Sequence, residues 1–146
     1  LCLTWLDAHP PENQTVIDYG CGSGVLALAA QKLGAKEVKG TDIDPQAITA
    51  SQQNAERNQA DISFKLVKEF ESAPVDLLIA NILAGPLKEL APEFQRLLKP
   101  RGTLVLSGLL CNQASDLIEF YRQQGFKFLE QNDQDEWSQL SFIKAD

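Results

Sequence analysis

Cysteine and histidine are scarce in this sequence, and their spacing matches no metal site. The 146 residues contain three cysteines, Cys2, Cys21 and Cys111, and a single histidine, His9. An odd, scattered set of cysteines without C-x-x-C spacing predicts neither a disulfide framework nor a zinc site. One histidine with no second ligand at metal spacing adds no site of its own. We therefore expect free thiols, no bound metal and a reducing compartment, the cytoplasm.

Long apolar runs and positive charge are scarce as well. No run approaches 18 apolar residues, and no basic segment precedes a short apolar one. The sequence therefore predicts no membrane contact and no secretory signal. Thirteen Lys and Arg stand against 20 Asp and Glu, a formal net charge of −7. That balance argues against direct nucleic-acid binding and is compatible with a small-molecule substrate or a basic protein partner.

What the sequence does have is a glycine-rich turn between a predicted strand and a predicted helix. Glycine occupies every second position of Gly20-Cys21-Gly22-Ser23-Gly24. Glycine permits positive φ and lets a ligand approach main-chain N–H groups that a Cβ would block. Because the following helix directs its unpaired N–H groups at the turn, we predict a pocket for a nucleotide-like cofactor. The alternative is a tight turn that binds nothing.

Apolar runs and helical patterns alternate along the chain, which is long enough for one domain. Strands are predicted over residues 15–18, 37–42, 62–67, 75–80, 102–107, 126–130 and 136–143. Helices are predicted over 1–8, 23–33 (buried), 45–58, 87–98 and 112–125. Asp44 should cap the third helix, Pro100 should end the fourth, and Asn112 should cap the fifth. This alternation predicts an α/β fold: a Rossmann-like, doubly wound, mostly parallel seven-stranded sheet with an antiparallel C-terminal strand.

Two features favour a sulfonium nucleoside over a dinucleotide. Asp42, at the end of the second strand, does not distinguish the two classes, because a carboxylate there binds both ribose hydroxyls in either one. The glycine spacing and Asp18 do distinguish them. The turn reads G-x-G-x-G, with Val25 where the dinucleotide fingerprint has its third glycine. Asp18 lies two residues before the first glycine, and its charge would repel a pyrophosphate and attract the cationic groups of S-adenosylmethionine. Asp18 could equally cap N–H groups of the turn.

Other candidate side chains carry two interpretations each. Asn81 follows the fourth strand, where its amide can accept a hydrogen bond from an incoming N–H group, or can simply cap a turn. Cys21 is interpreted as a small filler, because no base is near it in sequence. Trp137 is interpreted as packing rather than as a substrate platform. Parallel strands end at one edge, so the glycine turn, Asp42 and Asn81 should converge on one crevice.

The motifs as a set resemble the class I S-adenosylmethionine-dependent methyltransferases, and most closely the ribosomal protein L-eleven methyltransferase family. Nearly the whole chain takes part in the resemblance. Its motifs are residues 16–28, Gly40-Thr41-Asp42-Ile43-Asp44-Pro45-Gln46-Ala47-Ile48, Asn54-Ala55-Glu56-Arg57-Asn58, residues 80–90, Ser107-Gly108-Leu109-Leu110 and Glu136-Trp137. The Asn-Ile-Leu-Ala-Gly-Pro-Leu run that begins at Asn81 is the most specific of them.

The resemblance implies a methyltransferase domain over residues 1–146. Such a domain would bind S-adenosylmethionine, without a metal, and release S-adenosylhomocysteine after methylating lysine and N-terminal amino groups of a basic ribosomal protein. It implies that Asp42 holds the ribose and that Asn81 contacts the cofactor and positions the acceptor. It places these further residues at the cofactor: Asp18, Gly20, Cys21, Gly22, Gly24 and Ile43.

In that family an N-terminal domain grips the substrate, and a Thr- and His-bearing segment ahead of the first helix touches the cofactor. The sequence starts at Leu1, inside a predicted helix. We therefore expect a fragment without those parts, with reduced activity of its own.

Three other functions stay open. A nucleic-acid (rRNA) or small-molecule amino-methyltransferase could use the same fold, although no Asn-Pro-Pro-aromatic run follows the fourth strand to stack a flipped base. A nicotinamide-dependent oxidoreductase is disfavoured by the glycine spacing. A binding domain without catalysis is the last alternative.

Overall fold

Seven strands form one sheet in the computed structural model, which describes residues 1–145. The strands are β1 (Thr15–Tyr19), β2 (Glu37–Asp42), β3 (Ser63–Leu66), β4 (Val75–Asn81), β5 (Leu98–Leu110), β6 (Phe126–Gln134) and β7 (Trp137–Lys144). Their order across the sheet is β3-β2-β1-β4-β5-β7-β6. Strand β7 pairs antiparallel with β5 and β6, and the other pairs are parallel. The predicted α/β class and the one antiparallel strand are confirmed.

Six helices cover the two faces of this sheet. They are α1 (Cys2–Ala8), α2 (Val25–Lys32), α3 (Pro45–Arg57), α4 (Ala84–Glu89), α5 (Ala91–Leu97) and α6 (Ala114–Gln123), with 3-10 turns at Val67–Glu69 and Cys111–Gln113. Adjacent residues of one strand pack on opposite faces of the sheet: Val16 packs in the cluster with α1 and α2, and Ile17 packs in the cluster with α4 to α6. Central strands are apolar throughout because both faces are buried. None of these helices, in the described part of the chain, is long and apolar enough to cross a membrane.

The prediction of one helix over residues 87–98, ended by Pro100, was wrong. The segment forms two helices, α4 and α5, which meet at Leu90, two residues before Pro92. Pro92 has no N–H to donate to the carbonyl oxygen four residues earlier, so the hydrogen-bond ladder of a continuous helix is interrupted here. Pro100 does not end α5, because β5 already begins at Leu98. Pro100 lies where the β4–β5 register shifts, an irregularity that tolerates a missing donor.

Two further predictions, of a cap and of a buried helix, were also wrong. Asn112 lies inside the 3-10 turn and does not cap α6. The turn is closed instead by Gln113, whose Oε1 accepts from the N–H of Leu110 at 2.8 Å. Helix α2 is only partly buried: Ala27 and Ala30 face the core, whereas Val25 is 48% exposed.

Lys144 stabilises the C-terminal end of α5. Its Nζ donates to the carbonyl oxygens of Gln95 and Leu98, at 2.7 and 2.8 Å. Since these carbonyls lie at a helix end and lack intrahelical partners, we expect Lys144→Met to lower the free energy of unfolding by about 1–2 kcal/mol. Urea unfolding measures the change. Lys127→Met, on the exposed side of β6, is the control and should change stability by less than about 0.5 kcal/mol.

Candidate functional site

The predicted site residues meet at the carboxyl edge of the sheet. Tyr19 of β1 pairs with Thr41 of β2 and with Ala80 of β4, so Asp42 and Asn81 follow at the same level on either side of β1. Two strand spacings separate their backbones, roughly 10 Å. Side chains alternate along a strand, so both project toward the face covered by α1 to α3. The two residues therefore flank the loop of residues 20–24, which we call the glycine loop.

Each glycine of this loop has positive φ, at +81° for Gly20, +55° for Gly22 and +86° for Gly24. A Cβ on Gly20 would lie 3.0 Å from Ile82 Cγ1, and one on Gly24 would lie 3.1 Å from Ser51 Oγ. Those two positions need glycine for packing as well as for the left-handed backbone. A Cβ on Gly22 would meet no atom of residues 1–145 within 4 Å. Gly22 therefore faces the open crevice.

Three consecutive amides of the glycine loop are already used inside the protein. Gly20 and Cys21 donate their N–H groups to the carbonyl oxygen of Thr41, at 2.8 and 3.0 Å. Gly22 donates to Asp42 Oδ2 at 3.0 Å. The expected set of free N–H groups is therefore absent at these three residues. A loop with its amides consumed in this way differs from a phosphate-binding loop, whose N–H groups point at the ligand.

Asp42 fixes the loop and keeps part of its acceptor capacity. Its Oδ2 accepts from Gly22 N, and its Oδ1 accepts from Asp44 N, both at 3.0 Å. A carboxylate has about four acceptor positions, so two remain for hydroxyl groups of a ligand. Asp44 caps α3 as predicted, because its Oδ1 accepts from Gln46 N at 2.9 Å. Asp42 is therefore not needed as the helix cap.

Asp18 is a buried carboxyl group beneath the glycine loop, with 1% of its surface exposed. Its Oδ2 accepts from Ala27 N at 3.2 Å, so it caps α2, whose own N-cap residue, Gly24, has no side chain. Its Oδ1 has no hydrogen-bond partner within residues 1–145. Burial raises the pKa of Asp18 to about 7; nearby Asp42 adds to the rise, and the Ala27 hydrogen bond opposes it. A cation at the loop would stabilise the charged form.

Cys21 and two side chains of α3 hold the loop from below. Cys21 is buried, with its Sγ 3.4 Å from Ser51 Oγ, and burial raises the pKa of the thiol to about 11. The thiol is therefore protonated at neutral pH and packs as a small side chain. Ser51 Oγ donates to Gly22 O and Asn54 Nδ2 donates to Ser23 O, each at 2.8 Å. The sequence analysis did not single out Ser51, and it named Asn54 within a family motif without a contact. Their i, i+3 spacing shows a shared helix face but not what that face contacts.

A small apolar cavity adjoins the β2 side of the crevice. Ile43 follows Asp42 and is 82% exposed, which is unusual for a large aliphatic side chain. The cavity has a volume of ≈ 330 Å³ and is lined by Ile43, Pro45, Leu66, Val67 and Lys68. Its size and lining suit a flat heterocyclic ring.

A larger cavity opens on the β4 side of the crevice. Its volume is ≈ 690 Å³, and it is lined by Leu1, Asn81, Ile82, Leu83, Ser107, Gly108, Gln134, Asp135 and Trp137. Its wall contacts the glycine loop, since Ile82 packs against Gly20. Trp137 is 44% exposed and lines this cavity, so it does not pack in the core; its interpretation as edge packing stays a prediction. Asn81 is exposed at the cavity wall, at the end of β4.

The chain is similar to proteins of one family along its whole length. A family model described as ribosomal protein L11 methyltransferase (PrmA) matches residues 1–145. The chain is 81% identical over 144 residues to the ribosomal protein L11 methyltransferase of Hydrogenovibrio crunogenus and 53% identical over 147 residues to that of Glaesserella parasuis. These alignments cover 99% of this chain but 49% and 50% of those proteins, so the chain spans about half the length of the curated relatives it matches.

A solved structure shows the same architecture. A crystal structure of a ribosomal protein L11 methylase from Lactobacillus delbrueckii subsp. bulgaricus matches with a TM-score of 0.91 at 31% identity. The match covers 99% of this chain and 77% of that chain.

Proposed function

This chain belongs to the ribosomal protein L11 methyltransferase family, and on that premise we propose that it is the catalytic domain of such an enzyme. It would transfer methyl groups from S-adenosylmethionine to lysine side chains and the N-terminal amino group of ribosomal protein L11, in the cytoplasm where ribosomes form. The observation that carries the proposal is the position of Asp42 and Asn81 on either side of the glycine loop, with one cavity beyond each. The relatives' remaining length would supply a substrate-recognition domain.

The side chains at the crevice fit S-adenosylmethionine. Asp42 retains acceptor positions for a ribose diol, and the mostly apolar cavity beside Ile43 has room for an adenine ring. The unpartnered, buried Oδ1 of Asp18 suits a ligand that carries positive charge and no phosphate. The main chain of Gly20, Gly22 and Gly24 would line the methionine part, whereas Cys21 would support the loop from beneath through its buried side chain. When bound, this cofactor supplies a methyl group on a sulfonium, which is electrophilic without help from a metal.

The protein must then deliver a neutral amine in line with that methyl group. An exposed lysine has a pKa of about 10.4, so deprotonating it at pH 7 costs about 4.6 kcal/mol. The apolar side chains of Ile82, Leu83 and Trp137 around the larger cavity disfavour the ammonium form and reduce this cost. The amide oxygen of Asn81 accepts one N–H of the amine, which aims the lone pair. Asn81 orients the acceptor and does not transfer the proton, which leaves to water.

Binding and transfer test the proposal separately. Calorimetry with S-adenosylhomocysteine should show a single site per chain, and radiolabelled S-adenosylmethionine should label L11 rather than ribosomal RNA. Labelled RNA with unlabelled L11 would replace this function by the nucleic-acid alternative. Absence of cofactor binding by both this chain and a full-length relative would remove methyl transfer altogether.

Asn81→Ala should lower kcat by about 10- to 100-fold, because an acceptor that is misplaced by about 1 Å reacts far more slowly. The Kd for S-adenosylhomocysteine should rise no more than about threefold, since the ribose and adenine contacts remain. Single-turnover methylation of L11 measures the first quantity and calorimetry the second. Asn112→Ala, an exposed amide that does not line the larger cavity, should change neither. An unchanged kcat in Asn81→Ala would exclude a positioning role.

A further inference from the structure

The hairpin between β6 and β7 ends at the larger cavity. Residues 135–136 form its two-residue turn, and Gln134 pairs with Trp137 across it. Asp135 has φ +55°, the left-handed conformation that such turns require and that Asp and Asn tolerate better than other side-chain-bearing residues. The backbone of the turn therefore fixes the direction in which the Asp135 side chain leaves the chain.

Cys111 holds this turn against the end of β5. Its N–H donates to the carbonyl oxygen of Glu136 at 2.8 Å. Its Sγ donates to the carbonyl oxygens of Trp137 and Asp135, at 3.5 and 3.7 Å. The neighbouring pair Leu110 and Trp137 continues the β5–β7 ladder up to the turn. The hairpin tip is thus attached to the sheet edge that carries the crevice.

Asp135 brings an acidic side chain to the lining of the larger cavity. Among the lining residues in the described part of the chain, it is the one with an ionisable side chain. The other side chains of the lining are apolar or uncharged, with Leu83 on the β4 side and Trp137 on the hairpin side. Both are large, exposed apolar side chains, at 67% and 44% exposure. An apolar passage with one carboxylate is complementary to an unbranched chain that ends in a cation.

We propose that Asp135 is the residue that selects a cationic acceptor side chain at this cavity. Its carboxylate attracts the ammonium group of a lysine in the protein acceptor, while the lysine's aliphatic stem lies between Leu83 and Trp137. The inference rests on the proposed methyl transfer and adds which residue chooses the acceptor. Asp135 acts on binding and opposes the reaction slightly, because a carboxylate that stabilises the bound ammonium form adds to the cost of forming the neutral amine, which the apolar lining lowers.

The test is Asp135→Asn, measured as steady-state methylation of L11. Asparagine keeps the shape and adopts the same positive φ, so the turn should stay intact. We expect KM for L11 to rise about three- to fivefold without any fall in kcat, the size typical of an exposed charge, and the difference to vanish at about 1 M salt. Glu136→Gln removes the same charge from the neighbouring turn residue, which does not line the cavity, and should change KM less than twofold.

A binding measurement separates this proposal from the proposed function. Trp137 is exposed and Trp5 is buried, so a ligand in the cavity should change the fluorescence of Trp137 and leave that of Trp5 unaffected. We expect this change with Nα-acetyl-lysine methylamide but not with its norleucine counterpart. Equal responses to both amides, or equal KM values in the Asp135→Asn and Glu136→Gln variants, would overturn the assignment of Asp135 while leaving methyl transfer intact. A lysine preference without any labelling of L11 would instead contradict the proposed function.

Discussion

Gly22→Val should weaken binding of S-adenosylhomocysteine by about 100-fold or more, equivalent to about 2.7 kcal/mol. Gly22 has φ +55°, and a Cβ at this position would have no protein atom within 4 Å, so a side chain there would project into the crevice. A β-branched residue also resists left-handed φ, at a cost of about 1–2 kcal/mol to the loop. Both effects act on the surface that the proposed cofactor must contact. Calorimetry gives the affinity, and thermal unfolding shows how much of the loss is instability.

Two further substitutions separate steric obstruction from strain. Gly22→Ala carries nearly the same backbone strain with a smaller side chain and should lose less affinity. Gly85→Ala adds a Cβ at another open position, in α4, where φ is not positive, and should leave affinity unchanged. Affinity within threefold of the parent in a folded Gly22→Val chain would mean that the cofactor does not approach this loop.

Sequence reasoning succeeded where local chemistry determines the structure. Strand β2 was predicted with its observed bounds, because it ends in the acidic Asp42 and the Asp44-Pro45 pair starts α3 immediately afterwards. The convergence of Asp42 and Asn81 followed from topology alone, since parallel strands end at one edge. The apolar periodicity did not predict the break between α4 and α5. The periodicity continues across Pro92, but the missing N–H of Pro92 interrupts the helix.

The rest of the site depends on contacts between elements that are distant in sequence. Nothing local shows that Ser51 of α3 would donate to Gly22 O, 29 residues earlier. Asp18 was given two interpretations, a charge for a cation or a cap for the turn; in the structure one oxygen caps α2 and the other is unpartnered. The hairpin tip at Asp135 reaches the cavity only because β7 inserts between β5 and β6, an order that periodicity does not determine.

Asp18 should make the ligand-free chain less stable as the pH rises from about 4 to above 7. In the folded chain burial raises the pKa of Asp18 from 3.8 to about 7. Between those values the folded state holds a proton that the unfolded state has lost, so the contribution to stability is fully present below about pH 4 and disappears as the pH passes 7. About three pKa units correspond to about 4 kcal/mol at most. Urea unfolding at pH 5 and pH 8 measures the difference.

Asp18→Asn isolates this carboxyl group, because an amide can still accept from Ala27 N and does not ionise in this range. We expect the variant to lose much less stability than the parent between pH 5 and pH 8, and to be the more stable of the two at pH 8. Asp76 does not affect this comparison. Burial alone would raise the pKa of Asp76, but hydrogen bonds from Thr15 and Lys99 lower it overall. Its contribution to the free energy of unfolding is therefore lost only at acid pH. If parent and variant lose stability in parallel, the Asp18 carboxyl is already ionised in the folded chain at pH 5. Its unpartnered oxygen would then carry a full buried charge, and attraction of a cation to the glycine loop would no longer depend on pH.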